Sequence, residues 1–117
     1  MSAAPSEIRL DRDRRTLQVR FADGAGYNLP AEYLRVESPS AEVQGHGPDD
    51  RKTVPGKRGV RIAGVEAVGN YAVRLVFDDG HDSGIYSWAL LGALGREQAE
   101  RWARYLAELE VRGLARG

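Results

Sequence analysis

The sequence contains no cysteine among its 117 residues, and this absence excludes several kinds of chemistry. A chain without cysteine forms no disulfide, has no thiol nucleophile and offers no thiolate to zinc or to an iron–sulfur cluster. Its formal net charge is zero, with 17 basic and 17 acidic side chains, so a globally basic nucleic-acid binder is not expected. No apolar run approaches the ~20 residues of a membrane span, and Met1–Ser6 has no apolar core for a signal peptide. We therefore expect a cytoplasmic protein that binds no membrane.

Length and composition indicate one globular domain. A chain of this size buries about two-thirds of its unfolded surface, so core packing alone can hold it together. Hydrophobic residues make up 42% of the chain and charged residues 29%, which is typical of globular proteins. We predict a disordered N-terminus over residues 1–6, a single domain over residues 7–112, and a tail over residues 113–117.

The first third of the chain is predicted to form short antiparallel strands. Apolar residues alternate with polar ones in two runs, Ile8 and Leu10 followed by Leu17, Val19 and Phe21. A period of two indicates strands with one buried face. Asp23-Gly24 then precedes Tyr27, a pattern typical of a second hairpin.

A second group of strands is predicted over residues 60–88. The alternating residues of its central strand are Tyr71, Val73, Leu75 and Phe77. Turn dipeptides flank that strand, Gly69-Asn70 on one side and Asp79-Gly80 on the other. Three strands joined by two tight turns form an antiparallel meander.

Helices are predicted on both sides of the meander. Residues 30–35 have the pattern of a short helix, whereas residues 37–59 have no periodicity. Ser87 is a suitable N-cap for a helix that ends at Gly95, and residues 96–112 form an amphipathic helix that ends at Gly113. The fold class is therefore α+β, a mainly antiparallel sheet with the C-terminal helix packed on one face. The expected core contains Val19, Phe21, Ile62, Val73, Leu75, Phe77, Trp88, Trp102 and Leu106.

Two histidines are the candidates for site chemistry. His81 lies between Asp79 and Asp82, and His46 lies between Gly45 and Gly47 in the irregular segment. Imidazole and carboxylate ligands suit zinc or iron, and a carboxylate beside an imidazole also suits a general base. The competing interpretation is a surface hairpin, since Asp-Asp-Gly is ordinary turn chemistry. No serine lies in the Gly-x-Ser-x-Gly context of a hydrolase.

Several motifs in a fixed order resemble a known family. They are Leu29-Pro30-Ala31-Glu32-Tyr33-Leu34-Arg35, Ser38-Pro39-Ser40, Gly45-His46-Gly47, Val68-Gly69-Asn70-Tyr71-Ala72, Phe77-Asp78-Asp79-Gly80-His81-Asp82 and Gly84-Ile85-Tyr86-Ser87-Trp88. Together they resemble the gamma-butyrobetaine hydroxylase-like N-terminal domain family over roughly residues 7–112. In the hydroxylase, this domain precedes a separate iron- and 2-oxoglutarate-dependent catalytic domain. The family also includes small stand-alone bacterial proteins and fusions to ATPases of the iron–sulfur carrier type.

The resemblance implies a structural zinc site of three cysteines and one histidine. In this chain the cysteine positions hold Ser38, Ser40 and Val43, and the histidine position holds His81. Neutral serine is a poor zinc ligand and valine is none, so this tetrahedral site is not expected to form.

These observations favour a non-catalytic accessory domain that binds a protein partner, with no cofactor. The resemblance implies that the partner belongs to iron–sulfur carrier machinery. We expect the binding residues to be Gly45, His46, Gly47, Tyr86 and Trp88. The alternative is an accessory protein that binds iron or zinc through His81, Asp79, Asp82 and His46. A small enzyme using His81 is the third hypothesis.

Overall fold

The first three strands form an antiparallel sheet in the order β1-β2-β3. The computed structural model describes residues 3–45 and 51–117. The strands are β1 (Pro5–Leu10), β2 (Thr16–Phe21) and β3 (Gly26–Pro30). Val19 pairs with Ile8 on one side and with Tyr27 on the other, so the alternating apolar residues share one face. The predicted hairpins are confirmed.

The second sheet is the predicted meander, in the order β4-β5-β6. Its strands are β4 (Ile62–Val68), β5 (Ala72–Phe77) and β6 (Gly84–Ser87). The sequence analysis placed all six strands in one sheet, but the structure divides them between two. The two sheets meet where the backbone N–H of Ile62 donates to the carbonyl of Arg14 at 2.7 Å.

Four helices complete the described fold, and together with the two antiparallel sheets they confirm the α+β class. They are α1 (Ala31–Val36), α2 (Ala41–Gln44), α3 (Trp88–Arg96) and α4 (Gln98–Arg112). The Ser87 hydroxyl accepts from the backbone N–H of Leu90 at 3.1 Å, which confirms the predicted N-cap. Helix α2 was not predicted, because four residues are too few to show a period. In the part of the chain that is described, no helix is long and apolar enough to cross a membrane.

The core lies between the two sheets and helices α1 and α3. Its buried residues include Val19, Ile62, Val73, Leu75 and Phe77, as expected. Phe21, Trp88 and Trp102 lie at its edge and are only partly buried. Leu106 is 38% exposed and is not a core residue. Helix α4 turns Tyr105 and Leu109 inward instead, and a residue next to Tyr105 points about 100° away from it.

Both ends of the described chain make contacts with the domain. Strand β1 begins at Pro5, so residues 5 and 6 belong to the sheet. After α4, the Arg116 guanidinium donates two hydrogen bonds to the Glu32 carboxylate, at 2.8 and 2.9 Å. It also lies 5.2 Å from the centre of the Trp102 ring. The C-terminal segment is therefore attached to the domain through Arg116.

Gly95 does not end helix α3 as predicted, because the helix continues to Arg96. A Cβ atom at this position would lie 2.3 Å from Cγ of Tyr27. The glycine is therefore required by the close approach of the Tyr27 ring to the helix backbone, and helix termination plays no part.

We predict that Gly95→Ala lowers the free energy of unfolding by about 1–3 kcal/mol, as overpacking does. Helix propensity alone would make the alanine variant more stable by ~0.5–1 kcal/mol. A lower free energy of unfolding would therefore show that the contact with the Tyr27 ring dominates. Urea denaturation followed by circular dichroism measures the difference. Gly59→Ala is the control, because nothing lies within 4 Å of its Cβ position. Equal stabilities for the two variants would contradict this account.

Candidate functional site

His81 is buried at the end of the turn that joins β5 to β6. Only 2% of its side chain is exposed. Gly80 adopts a φ of 92°, and the Asp79 carboxylate accepts from the backbone N–H of His81 at 3.0 Å. The N–H of Phe77 then donates to the carbonyl of His81 at 2.9 Å. The Asp-Asp-Gly turn therefore directs the imidazole into the domain.

Both imidazole nitrogens of His81 have partners after α1, in helix α2 and in the segment that precedes it. The Glu42 carboxylate accepts a hydrogen bond from Nδ1 at 3.0 Å, because an ionised carboxylate only accepts. Nε2 lies 2.8 Å from the Ser38 hydroxyl and 3.4 Å from the Ser40 hydroxyl, within hydrogen-bond distance of both. We call Ser38, Ser40, Glu42 and His81 the histidine cluster. It fastens the segment after α1 to the β5–β6 turn.

The histidine cluster occupies the place of the zinc site that the family resemblance implies. Ser38, Ser40 and His81 do come together, and Val43 is buried in α2. These residues do not fit a zinc ion, because they offer one imidazole, two neutral hydroxyls and an aliphatic group. The serines instead satisfy the imidazole directly through hydrogen bonds.

The other carboxylates proposed as metal ligands point elsewhere. The Asp79 carboxylate binds Arg35 and Lys57, at 2.8 and 2.7 Å. Asp82 lies near Arg74, 3.6 Å away, and 60% of its side chain is exposed. Within residues 3–45 and 51–117, no three histidine or acidic side chains are arranged to hold a metal ion. His46 and Gly47 lie outside the described residues.

The order Ser38, His81, Glu42 has the hydrogen-bond sequence of a serine hydrolase triad. Ser38, however, is completely buried. A nucleophile has to reach its substrate, so the chemical use of this arrangement is to hold the segment after α1. No simple sequence signal identifies the arrangement, because His81 lies about forty positions from Ser38 and Glu42.

The residues proposed for partner binding are separated by the structure. Tyr86 is fully buried, and its hydroxyl donates to the carbonyl of Leu34 at 2.5 Å, so it has no surface to offer. Gly45 follows α2 and is partly exposed. Trp88 is partly exposed, and its indole N–H donates to the carbonyl of Asn70 at 2.7 Å. Trp88 lines a pocket at the surface.

That pocket, which we call the aromatic pocket, lies between the β2–β3 hairpin and helix α3. Its aromatic walls are Phe21, Tyr27 and Trp88, and Gly92 and Arg96 of α3 also line it. Phe21 and Tyr27 are in edge-to-face contact, with ring centres 6.2 Å apart. Its volume is about 210 Å³. Sequence analysis missed the contributions of Tyr27, Gly92 and Arg96, since only the packing of α3 on the hairpin brings them together.

Fold and sites define a small α+β domain with a polar cluster around a buried histidine and a surface aromatic pocket. A family model described as gamma-butyrobetaine hydroxylase-like, N-terminal, matches residues 8–92. The chain belongs to this family.

Solved structures support the same assignment. One solution NMR structure is 48% identical, with a TM-score of 0.85, over 99% of this chain and 91% of the other. A second NMR structure is 45% identical, with a TM-score of 0.82, over 97% and 84%. A crystal structure from Acidithiobacillus ferrooxidans, of unknown function and assigned to the DUF971 family, is 40% identical. Its TM-score is 0.66, over 79% of this chain and 92% of the other. No curated protein matches.

Asp79 generates a prediction about stability at acidic pH. Burial alone would raise the pKa of Asp79, but hydrogen bonds from Lys57, the His81 backbone and Arg35 outweigh it and lower the pKa to about 2. A carboxyl whose pKa is lowered by folding stabilises the protein above its ordinary pKa of 3.8, and the contribution is lost as pH falls towards 2. We expect Asp79→Asn to cost about 1–2 kcal/mol at neutral pH and progressively less below pH 4.

Urea denaturation across this pH range measures the effect. Asp82→Asn is the matched control, because Asp82 is mostly exposed, and its cost should stay below about 0.5 kcal/mol at every pH. A cost for Asp79→Asn that does not shrink between pH 4 and pH 2 would contradict the assignment.

The histidine cluster generates a prediction about zinc. The variant with Ser38→Cys, Ser40→Cys and Val43→Cys should bind one zinc ion per chain and melt at a higher temperature when zinc is present, because thiolates are good ligands. The natural sequence should bind none and show no change in melting temperature. Adding His81→Ala to the triple variant provides the control and should weaken binding. Equal zinc content in the natural and triple-cysteine proteins would show that these positions do not form one site.

Proposed function

We propose that this protein is a non-catalytic accessory domain that binds a protein partner through the aromatic pocket. The observation that carries the proposal is a concave surface with three aromatic side chains, Phe21, Tyr27 and Trp88. Aromatic residues are enriched at the energetic centres of protein interfaces, because each one buries a large area at a low cost in side-chain entropy.

The histidine cluster supports the non-catalytic part of the proposal. Its imidazole is occupied on both nitrogens, and Ser38 has no exposed surface. The cluster therefore has a structural role in holding the segment after α1. The nearby carboxylates form ion pairs within the domain, Asp79 with Arg35 and Lys57, and Asp82 with Arg74.

The size of the aromatic pocket also favours a protein partner over a cofactor. Pockets that hold cofactors or drug-sized ligands measure about 300–1,000 Å³. The aromatic pocket, at about 210 Å³, is smaller than that range and suits a single side chain. A partner segment that inserts one apolar side chain would fill it.

Site-specific photo-crosslinking in cells tests the proposal. Ala89 is exposed on α3 and lines the aromatic pocket, and Ala103 is exposed on α4 away from it. With the photoreactive residue p-benzoylphenylalanine placed at either position, we expect a discrete adduct from position 89 and none from position 103. Mass spectrometry of the adduct identifies the partner.

The identified partner is then purified and titrated against purified variants. Trp88→Ala should weaken binding about 30-fold or more, the loss of about 2 kcal/mol typical of an interface hot spot. Ala89→Glu should also weaken binding, and this exposed position tests the pocket without altering the core. Equal crosslinking from both positions, or unchanged affinity of both variants, would overturn the proposal.

A further inference from the structure

Arg96 lies at the aromatic pocket with its guanidinium turned back along helix α3. A Cβ atom on Gly92 would lie 3.0 Å from Nη1 of Arg96 and 3.9 Å from Cζ of Phe21. Glycine inside a helix costs roughly 0.5–1 kcal/mol relative to alanine. At Gly92, whose φ is not positive, the missing side chain leaves space for the guanidinium beside the aromatic wall.

The Arg96 guanidinium has no carboxylate partner within the described part of the chain. The ion pairs found there use other arginines, among them Arg35, Arg51, Arg74, Arg101 and Arg116. Asp23 is the acidic residue that lines the pocket. Its carboxylate accepts a hydrogen bond from the backbone N–H of Ala25 at 2.9 Å, within the β2–β3 turn. The pocket therefore combines an apolar wall with cationic donors that are available to an anion.

A ligand for this pocket needs an apolar group and an anionic group only a few ångströms apart. Guanidinium groups bind carboxylates through two parallel hydrogen bonds. An internal aspartate or glutamate supplies the carboxylate, but its side chain carries no apolar group for the aromatic wall. A C-terminal apolar residue supplies both, because its side chain and its α-carboxylate share one Cα atom.

We propose that the aromatic pocket binds the C-terminal residue of a partner protein. The apolar side chain of that residue packs against Phe21, Tyr27 and Trp88, and its α-carboxylate binds Arg96. Capture of a chain terminus is an established mode of peptide recognition. This inference rests on the proposed function and specifies the part of the partner that is recognised.

Peptide titrations followed by NMR test the inference on the whole protein. The probes are N-acetylated hexapeptides that end in leucine or phenylalanine, each made with a free C-terminal carboxylate and with a C-terminal amide. The ¹⁵N-labelled protein reports through the indole N–H of Trp88 and the side-chain Nε–H of Arg96. We expect the free acids to shift both signals and to bind at least tenfold more tightly than the amides.

Variants separate the carboxylate contact from general charge effects. Arg96→Gln should reduce the affinity for the free acids at least tenfold and leave the affinity for the amides unchanged. Arg96→Lys should have an affinity for the free acids between those of the natural protein and Arg96→Gln, because lysine keeps the charge and loses the paired donors. Arg12→Gln is the matched control, since Arg12 is exposed in the β1–β2 turn and should have no effect. Gly92→Ala displaces the guanidinium without removing it, and should also weaken binding of the acids.

The outcomes distinguish this inference from the proposed function. Equal binding of acids and amides would overturn the role of the carboxylate, and crosslinking from position 89 would still support partner binding. N-acetyl-leucine binding as tightly as the hexapeptide would indicate a small-molecule carboxylate site and would also overturn the inference. If neither peptides nor cellular proteins reach the pocket, both proposals fail.

Discussion

The rest of the structure depends on keeping helix α1 buried between the two sheets. A helix of six residues has almost no stability of its own in water, so tertiary contacts must hold it. Two buried tyrosines do so. The hydroxyl of Tyr33 donates to the carbonyl of Leu94 at 2.7 Å, and the hydroxyl of Tyr86 donates to the carbonyl of Leu34. Burial raises the pKa of Tyr33 to about 12, so its hydroxyl remains a donor throughout the physiological range.

Each charged residue on or beside α1 forms an ion pair with a residue of another segment. Glu32 binds Arg116 from the C-terminal segment, Arg35 binds Asp79 from the β5–β6 turn, and Glu37 lies against Arg51. Burial raises the pKa of Glu37, because a carboxylate loses hydration there, and the nearby arginines oppose the rise. Each pair fastens a different segment to the same short helix.

The two sites differ in what they offer to the surroundings. The histidine cluster buries its imidazole and its two serine hydroxyls, keeps the Glu42 carboxylate at the surface and fastens the segment after α1. The aromatic pocket faces outward, and its walls come from the β2–β3 hairpin and α3. The chain has no cysteine for the zinc site that the resemblance implies. Hydrogen bonds between the serines and His81 instead attach the segment after α1 to the β5–β6 turn. The proposed function accordingly rests on the surface beside Trp88.

The sequence by itself determined the six strands, the helices other than α2, the α+β class, the Ser87 cap and the family. The strands, helices and cap follow from local periodicity and turn chemistry, which act over a few residues, whereas the family follows from the resemblance of ordered motifs along the chain. Tertiary structure alone decided that the strands form two sheets, that Tyr86 is buried and that Gly95 accommodates the Tyr27 ring. It also decided that Asp79 binds Arg35 and Lys57 and that His81 meets Ser38 and Glu42. Such partners lie tens of residues apart, so only the packing of the sheets around α1 brings their side chains into contact.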